Sequence, residues 1–367
     1  MAVYKFDRVS VMVCEDNAFV RRTLEDVLRQ FGFERITLLK NGQEAIESLK
    51  LMKQGRSAGP DLIIADLVMA PINGLLLCRW CRSAKETPNR MVPFIMLSGA
   101  ADQDYVSSAR DLGATEFLAK PFSGETVYKK ILEVIDFPRQ FVMNQTYFGP
   151  DRRRRKEPPP DDVDRREKAE SDCTVVYSAE KMTKPKSESD VYLFKPTNYL
   201  REKCAGGKLN PLERGEMPTD LIEQAEKKLE RAALDFTKWA QDYLGRLSDL
   251  CTQALLEPGR RTQQFVEINQ VALELRGQGG TFGYPLISIF GKMLFDSTRD
   301  GCREDDAQVE IVKAHVDAMR AVLREKISGD GGEIGKALIA ALKEGIEKQE
   351  KARKAAIEEM KQQAGGG

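Results

Sequence analysis

The sequence predicts two folds in one chain. The first is an α/β domain on a doubly wound five-stranded parallel sheet. The second is a C-terminal all-α helical bundle. Three observations predict this. Between residues 8 and 135, short apolar runs alternate with patterns of helical period. Four of those runs stop abruptly at polar residues: Val11–Asp16, Asp61–Asp66, Val92–Ser98 and Glu116–Lys120. From Pro218 onward, apolar residues recur only at helical spacing.

Short apolar runs bounded by turn residues and separated by helices read as buried parallel strands. The first strand is Arg8–Val13, and a helix over Asn17–Phe31 follows. Val20, Leu24, Val27, Leu28 and Phe31 form its inward stripe, and Gly32 ends it. Arg35–Leu39 is the second strand and Gly42–Met52 the second helix, with Ala45, Ile46, Leu49 and Met52 inward. The turn cluster Gly55–Pro60 leads to a third strand, Asp61–Ala65, and a helix over Leu75–Arg82. Val92–Leu97 and Thr115–Ala119 are the last strands, with helices near Gln103–Leu112 and over Glu125–Ile135. Five strand–helix units argue for the doubly wound sheet.

The middle of the chain changes character. Prolines at 150, 158, 159, 160, 185, 196 and 211 interrupt any long element, and Asp151–Lys156 is a basic run. Residues 139–217 therefore read as a linker, largely disordered, between a first domain over 1–138 and a bundle over 218–364. In the bundle, Leu221–Leu256 is one long amphipathic pattern, followed by helices at Phe265–Leu275, Pro285–Phe295, Val309–Ile327 and Gly335–Met360. Short connections imply an antiparallel arrangement.

A chain of 367 residues with 41% apolar content supports two cores. Fifty-seven basic residues balance 57 acidic ones, so there is no global polyanion-binding signature. No apolar run approaches a membrane span, and Met1–Asp7 lacks a signal-peptide pattern. The expectation is a cytoplasmic protein that does not enter membranes. Seven scattered cysteines suit a reducing compartment. The spacing Cys78-Arg79-Trp80-Cys81 looks redox-active, but both cysteines extend the inward stripe of Leu77, so a core role is the better reading. His315 is the sole histidine, which excludes multi-histidine metal sites.

In open α/β sheets, ligands bind beyond the carboxyl ends of the strands. The polar stops Glu15, Asp16, Asp66, Ser98 and Lys120 should converge there. Such a set can hold a divalent cation and a phosphoryl group. Asp66 is the candidate nucleophile, whose attack on an N-phosphorylated imidazole gives an acyl phosphate. Glu15, Asp16 and Asp66 would bind Mg²⁺, a hard cation that takes a few carboxylates and keeps waters. Lys120 would pair with one phosphoryl oxygen and Ser98 would donate to another. Phosphoryl transfer needs mainly such positioning and charge neutralisation.

Glu15-Asp16, Asp66 with Gly74 beyond it, Ser98-Gly99-Ala100 and Lys120-Pro121-Phe122 resemble the four signature regions of a response-regulator receiver domain of the CheY-like type. The resemblance implies a flavodoxin-like sheet and Asp66 as phospho-acceptor. It implies a Mg²⁺ site that includes the backbone carbonyl of Val68. It also implies a switch pair, Ser98 and Phe117, that rearranges the face made by the last two helices and the fifth strand. The segment Met69-Ala70-Pro71 shifts the family's usual Met-Pro by one residue. Val68 and Ala100 are apolar where the attacking water would pass, so self-dephosphorylation should be slow.

The stretch Ala272–Gly283 is rich in glycine inside a helical region, which needs a reason such as close approach of another backbone. It resembles the signature of a histidine phosphotransfer domain over roughly 260–350, with Arg276 and Gly277 matching. Leu273 stands where that family has its phospho-accepting histidine, so transfer chemistry is missing. His315 lies on another helix without the flanking pattern and reads as an exposed or partly packed side chain. The alternative is a generic bundle whose glycines serve only tight packing.

These readings lead to a response regulator phosphorylated by a sensor histidine kinase, with a protein-interaction output through the bundle. Other receivers or signalling proteins are its candidate partners. The chain would be no enzyme beyond its own phosphorylation and slow dephosphorylation. One alternative is a relay intermediate that passes the group onward, against which Leu273 argues. Another is a nucleic-acid-binding regulator using Arg152–Arg155, but acids at 161, 162 and 164 make a solvated linker the better reading. Dimerisation through the receiver face or the long helix is left open.

Overall fold

The structure is a computed structural model that describes residues 3–99, 111–151, 174–176, 185, 187, 190–195, 197–206, 213–299 and 301–364. They fall into two compact units, Met1–Leu229 and Glu230–Gly367.

In the first unit, β1 (Ser10–Cys14), β2 (Arg35–Leu39), β3 (Leu62–Asp66), β4 (Phe94–Ser98) and β5 (Glu116–Ala119) form one sheet in the order β2-β1-β3-β4-β5. Every pairing is parallel. Every residue of β3 and β4 is buried, as a sheet covered on both faces requires. The flavodoxin-like sheet is therefore present, with flanking helices α1 (Ala18–Gln30), α2 (Gly42–Gln54), α3 (Gly74–Ser83) and α4 (Gly124–Asp136). The first three each start at an asparagine cap, Asn17, Asn41 or Asn73, whose side chain accepts from backbone N–H groups of the first turn. Ser123 and Thr126 cap α4 reciprocally. The helix expected near Gln103–Leu112 lies, as far as Arg110, outside the described residues.

One glycine positions the end of β3. A Cβ on Gly74 would lie 2.2 Å from the Asp66 carbonyl oxygen, so α3 can begin against the strand end only without a side chain there. Cys78 and Cys81 are buried free thiols in the core beside Leu77, Phe94 and Met96. Burial pushes them up to about 11 and about 12, which keeps them protonated.

Parts of the stretch 139–217 depart from the expected disordered linker. Strands β6 (Phe141–Met143), β7 (Phe148–Pro150), β8 (Thr174–Val176) and β9 (Tyr192–Phe194) form a second sheet in the order β7-β6-β9-β8. Phe141, Met143 and Phe194 make its small core. The guanidiniums of Arg82 and Arg90 lie over the rings of Phe141 and Phe148, at 5.2 and 4.4 Å. A short helix, α5 (Tyr199–Ala205), follows. Asn198 donates to the Ile135 carbonyl at 2.6 Å and Lys203 pairs with Asp61 at 2.6 Å, which ties this segment to the first domain. Three-residue strands are too short to show a period amid the prolines.

The first turns of α6 (Thr219–Leu256) belong to this unit, and the rest of the helix belongs to the second. The second unit continues with α7 (Arg261–Gln278), α8 (Pro285–Ser297), α9 (Asp306–Arg324) and α10 (Gly332–Ala364). Phe236 stacks on Phe282 at 5.0 Å between ring centres. Glycines do bring backbones together here. A Cβ on Gly291 of α8 would lie 2.6 Å from the Arg276 nitrogen of α7, and one on Gly279 would lie 2.6 Å from the Tyr284 carbonyl oxygen.

His315 is buried, not exposed or partly packed as expected. It falls on the inward stripe of α9 with Val312, Val316 and Met319. Nδ1 meets the Ile311 carbonyl at 2.8 Å, and Nε2 has no hydrogen-bond partner. Burial lowers its pKa below the ordinary 6.5. The unfolded chain therefore takes up the proton first as pH falls. Stability of the second unit should be lost below pH 6.5, by up to about 1.4 kcal/mol per pH unit until the folded form also protonates. Urea unfolding at pH 7.5, 6.0 and 5.0, with His315→Gln as the variant in which this dependence disappears, checks it.

Candidate functional site

The C-terminal ends of β1, β3, β4 and β5 bring the expected residues together. Glu15 follows β1, Asp66 ends β3, Ser98 ends β4 and Lys120 follows β5. All four are buried, while Asp16 is exposed. Lys120 Nζ lies 2.8 Å from Glu15 Oε2 and 3.0 Å from Asp66 Oδ1. The Lys120 backbone N–H donates to the Ser98 carbonyl at 2.7 Å, which joins two of the strand ends. The Leu67 N–H donates to Asp66 Oδ1 at 2.9 Å.

These contacts set the electrostatics. Burial alone would lower the Lys120 ammonium, but Asp66 and Glu15 outweigh it and hold the group above its usual range. Lys120 is thus a fixed positive charge at physiological pH. Burial pushes the Glu15 carboxyl up, against the pull of Lys120. Asp16 is raised to about 6, by desolvation first and then by the neighbouring Asp66 charge. Ligand oxygens of Glu15, Asp16 and Asp66 all lie within 4.8 Å of one another. Three hard oxygen donors in that space fit a hard divalent cation.

Val68, whose carbonyl was expected in the cation site, is 39% exposed beside Asp66. Phe117 is partly buried against the core of the sheet. Ala100 lies outside the described residues. Sequence reasoning missed Arg21. Its guanidinium donates to the carbonyls of Glu15 and Asp16, at 2.6 and 3.3 Å, and so holds the loop that carries the acidic pair. The signal was its place one turn into α1, within reach of that loop.

A family model for the response regulator receiver domain matches residues 11–132. The chemotaxis protein CheY of Thermotoga maritima is 31% identical over 124 residues, which cover 34% of this chain and 95% of that protein. The chain belongs to the response-regulator receiver family. CheY of Bacillus subtilis is 27% identical over 126 residues, covering 34% of this chain and 97% of that protein. The transcriptional regulatory protein PdtaR of Mycobacterium tuberculosis is 34% identical over 113 residues, covering 31% of this chain and 50% of the relative. The chain thus spans about half the length of that relative. Receiver domains are in general signalling modules rather than enzymes, and they work with sensor histidine kinases.

Beyond the receiver, the other expected residues fall as follows. Leu273 is 43% exposed on α7. Gly277, one turn further on, has open space where a side chain would stand, so packing does not explain it. The Arg276 guanidinium lies 5.7 Å from the Phe295 ring centre. The buried ring of His315 offers no exposed nitrogen to a donor. The basic run Arg152–Arg155 lies outside the described residues. Among the described residues, no helix is long and apolar enough to cross a membrane.

The sign of the Asp16 shift gives a test. Between its ordinary 3.8 and about 6, the folded chain holds a proton that the unfolded chain has lost. Stability therefore falls as pH rises through that window, and a charged Asp16 opposes folding above it, to an extent reduced by its exposure to water. Asp16→Asn should raise the melting temperature at pH 7.5 without divalent cation. The same change should weaken Mg²⁺ binding by about tenfold or more in a calorimetric titration.

Proposed function

We propose that this chain is a two-component response regulator that takes a phosphoryl group on Asp66 from a phosphohistidine of a sensor kinase. An Asp66 carboxylate oxygen attacks phosphorus, the P–N bond breaks, and the imidazole leaves with the electron pair and takes up a proton. The product is an acyl phosphate. Lys120 stays charged and lies beside the attacking carboxylate, where it offsets the charge that builds on the phosphoryl oxygens. Ser98 donates to one of those oxygens, and with Phe117 it passes the change to the surface. Glu15, Asp16, Asp66 and the Val68 carbonyl would hold Mg²⁺, which supplies further neutralisation when bound.

The output is a protein contact made by the helical second unit. Its resemblance to a phosphotransfer domain lies in Arg276 and Gly277, and Leu273 removes the chemistry while leaving an exposed apolar side chain. A receiver, this chain's own or another's, is the partner such a face suits.

The buried Lys120 ammonium, bonded to both Glu15 and Asp66, carries this reading. Intact-mass measurement after incubation with Mg²⁺ and acetyl phosphate should show one added phosphoryl group in the wild type and none in Asp66→Ala. No addition to the wild type would sink the proposal. Because Val68 is apolar where the resemblance to receivers puts the path of the attacking water, the phosphorylated form should decay over minutes or longer once donor is removed. Decay within seconds would contradict that part.

A further inference from the structure

We infer that the first turns of α6 are seated on α1 and α4 of the receiver, and that phosphorylation of Asp66 loosens this seat. The inference rests on the reading of Asp66 as phospho-acceptor. Three contacts make the seat. A Cβ on Gly124, the first residue of α4, would lie 2.9 Å from the Ala225 Cβ and 3.4 Å from the Ile222 carbonyl oxygen. The Glu125 backbone N–H donates to Glu226 Oε1 at 3.3 Å. Gln30, the last residue of α1, donates to the Gln224 side chain at 2.5 Å. Ala225 is completely buried, whereas Glu223, Gln224, Lys227 and Lys228 are exposed. The seat is narrow, and its centre is a glycine facing an alanine.

That centre is close in sequence to the site. Lys120 is followed by Pro121, buried Phe122, the cap Ser123 and then Gly124. Lys120 is pinned at its backbone to Ser98 and at its ammonium to Asp66 and Glu15. A phosphoryl group on Asp66 adds negative charge and bulk where Lys120 now meets the carboxylate. The ammonium must follow the new oxygens, and the end of β5 moves with it. Four residues later stands Gly124, in a contact with no side chain to absorb a shift. A small displacement therefore separates it from Ala225.

Hydrogen exchange on the full chain, with and without Mg²⁺ and acetyl phosphate, reads this directly. Intact mass on the same samples gives the occupancy of Asp66. Amides 219–229 should exchange about tenfold faster in the phosphorylated wild type and show no change in Asp66→Asn. Without donor, Gly124→Ala should raise exchange over the same residues, and Gly124→Ala with Ala225→Gly should bring it back. Glu226→Ala, a surface change, should also raise it, which covers a failure of Gly124→Ala to fold. Full occupancy of Asp66 with unchanged exchange at 219–229 would overturn the inference and leave the acceptor reading intact. No phosphoryl group on Asp66 would overturn both.

Discussion

One buried cation holds the site together. Carboxylates at the ends of neighbouring strands repel each other, and burial makes that repulsion worse. Lys120 resolves it by reaching Glu15 on one side and Asp66 on the other. Its own backbone is held by the Ser98 carbonyl, so the ammonium is aimed rather than tethered loosely. A buried pair is weak support for stability, because desolvation offsets much of the attraction. Its value here is positional. It sets the Asp66 carboxylate 3.0 Å from a buried ammonium, the placement that the proposed phosphoryl acceptor needs. It leaves Asp16, exposed and raised to about 6, as the group most ready to gain from a cation.

Much of the receiver was legible because each of its rules is local. Strand runs are all-apolar where both faces are covered, and Asn17, Asn41 and Asn73 mark helix starts by their capping chemistry. The polar stops converge because parallel strands present all their carboxyl ends to one edge. Gly74 shows the limit of such reading. Its spacing from Asp66 is visible in the sequence, but the physical reason is a carbonyl oxygen 2.2 Å from where a Cβ would stand. That depends on a packed loop that no local pattern encodes. Arg21 was missed although its partners are local, because they are backbone carbonyls five and six residues back, which no side-chain pattern marks.

The second sheet and His315 were illegible in a different way. Strands of three residues, such as Phe141–Met143 and Tyr192–Phe194, give no period, and the proline content around them imitates a linker. They form because pairing is long-range, with Phe141 opposite Phe194 across some fifty residues of chain. For His315, residue type misled where position did not. The stripe of Val312, Val316 and Met319 already placed position 315 inside α9. A neutral imidazole with one backbone hydrogen bond is tolerable there, at the cost of one unpartnered nitrogen.

The glycines of the second unit separate two roles that composition alone merges. Gly279 and Gly291 face backbone atoms at 2.6 Å, so a side chain at either position would wedge α7 from α8. Gly277 faces nothing, one turn from exposed Leu273. Glycine in a helix interior costs about 1 kcal/mol against alanine, and at 277 no internal contact offsets it. The start of α6 is the opposite case. Between Thr219 and Leu229 only Ala225 is fully buried, so that end of a 38-residue helix is held by little buried surface, Ala225 against Gly124 with two hydrogen bonds beside it. Segments with so little buried surface sit at the low end of local stability. A perturbation too weak to disturb the sheet can therefore still act on α6. Gly124 is where the perturbation and the helix meet.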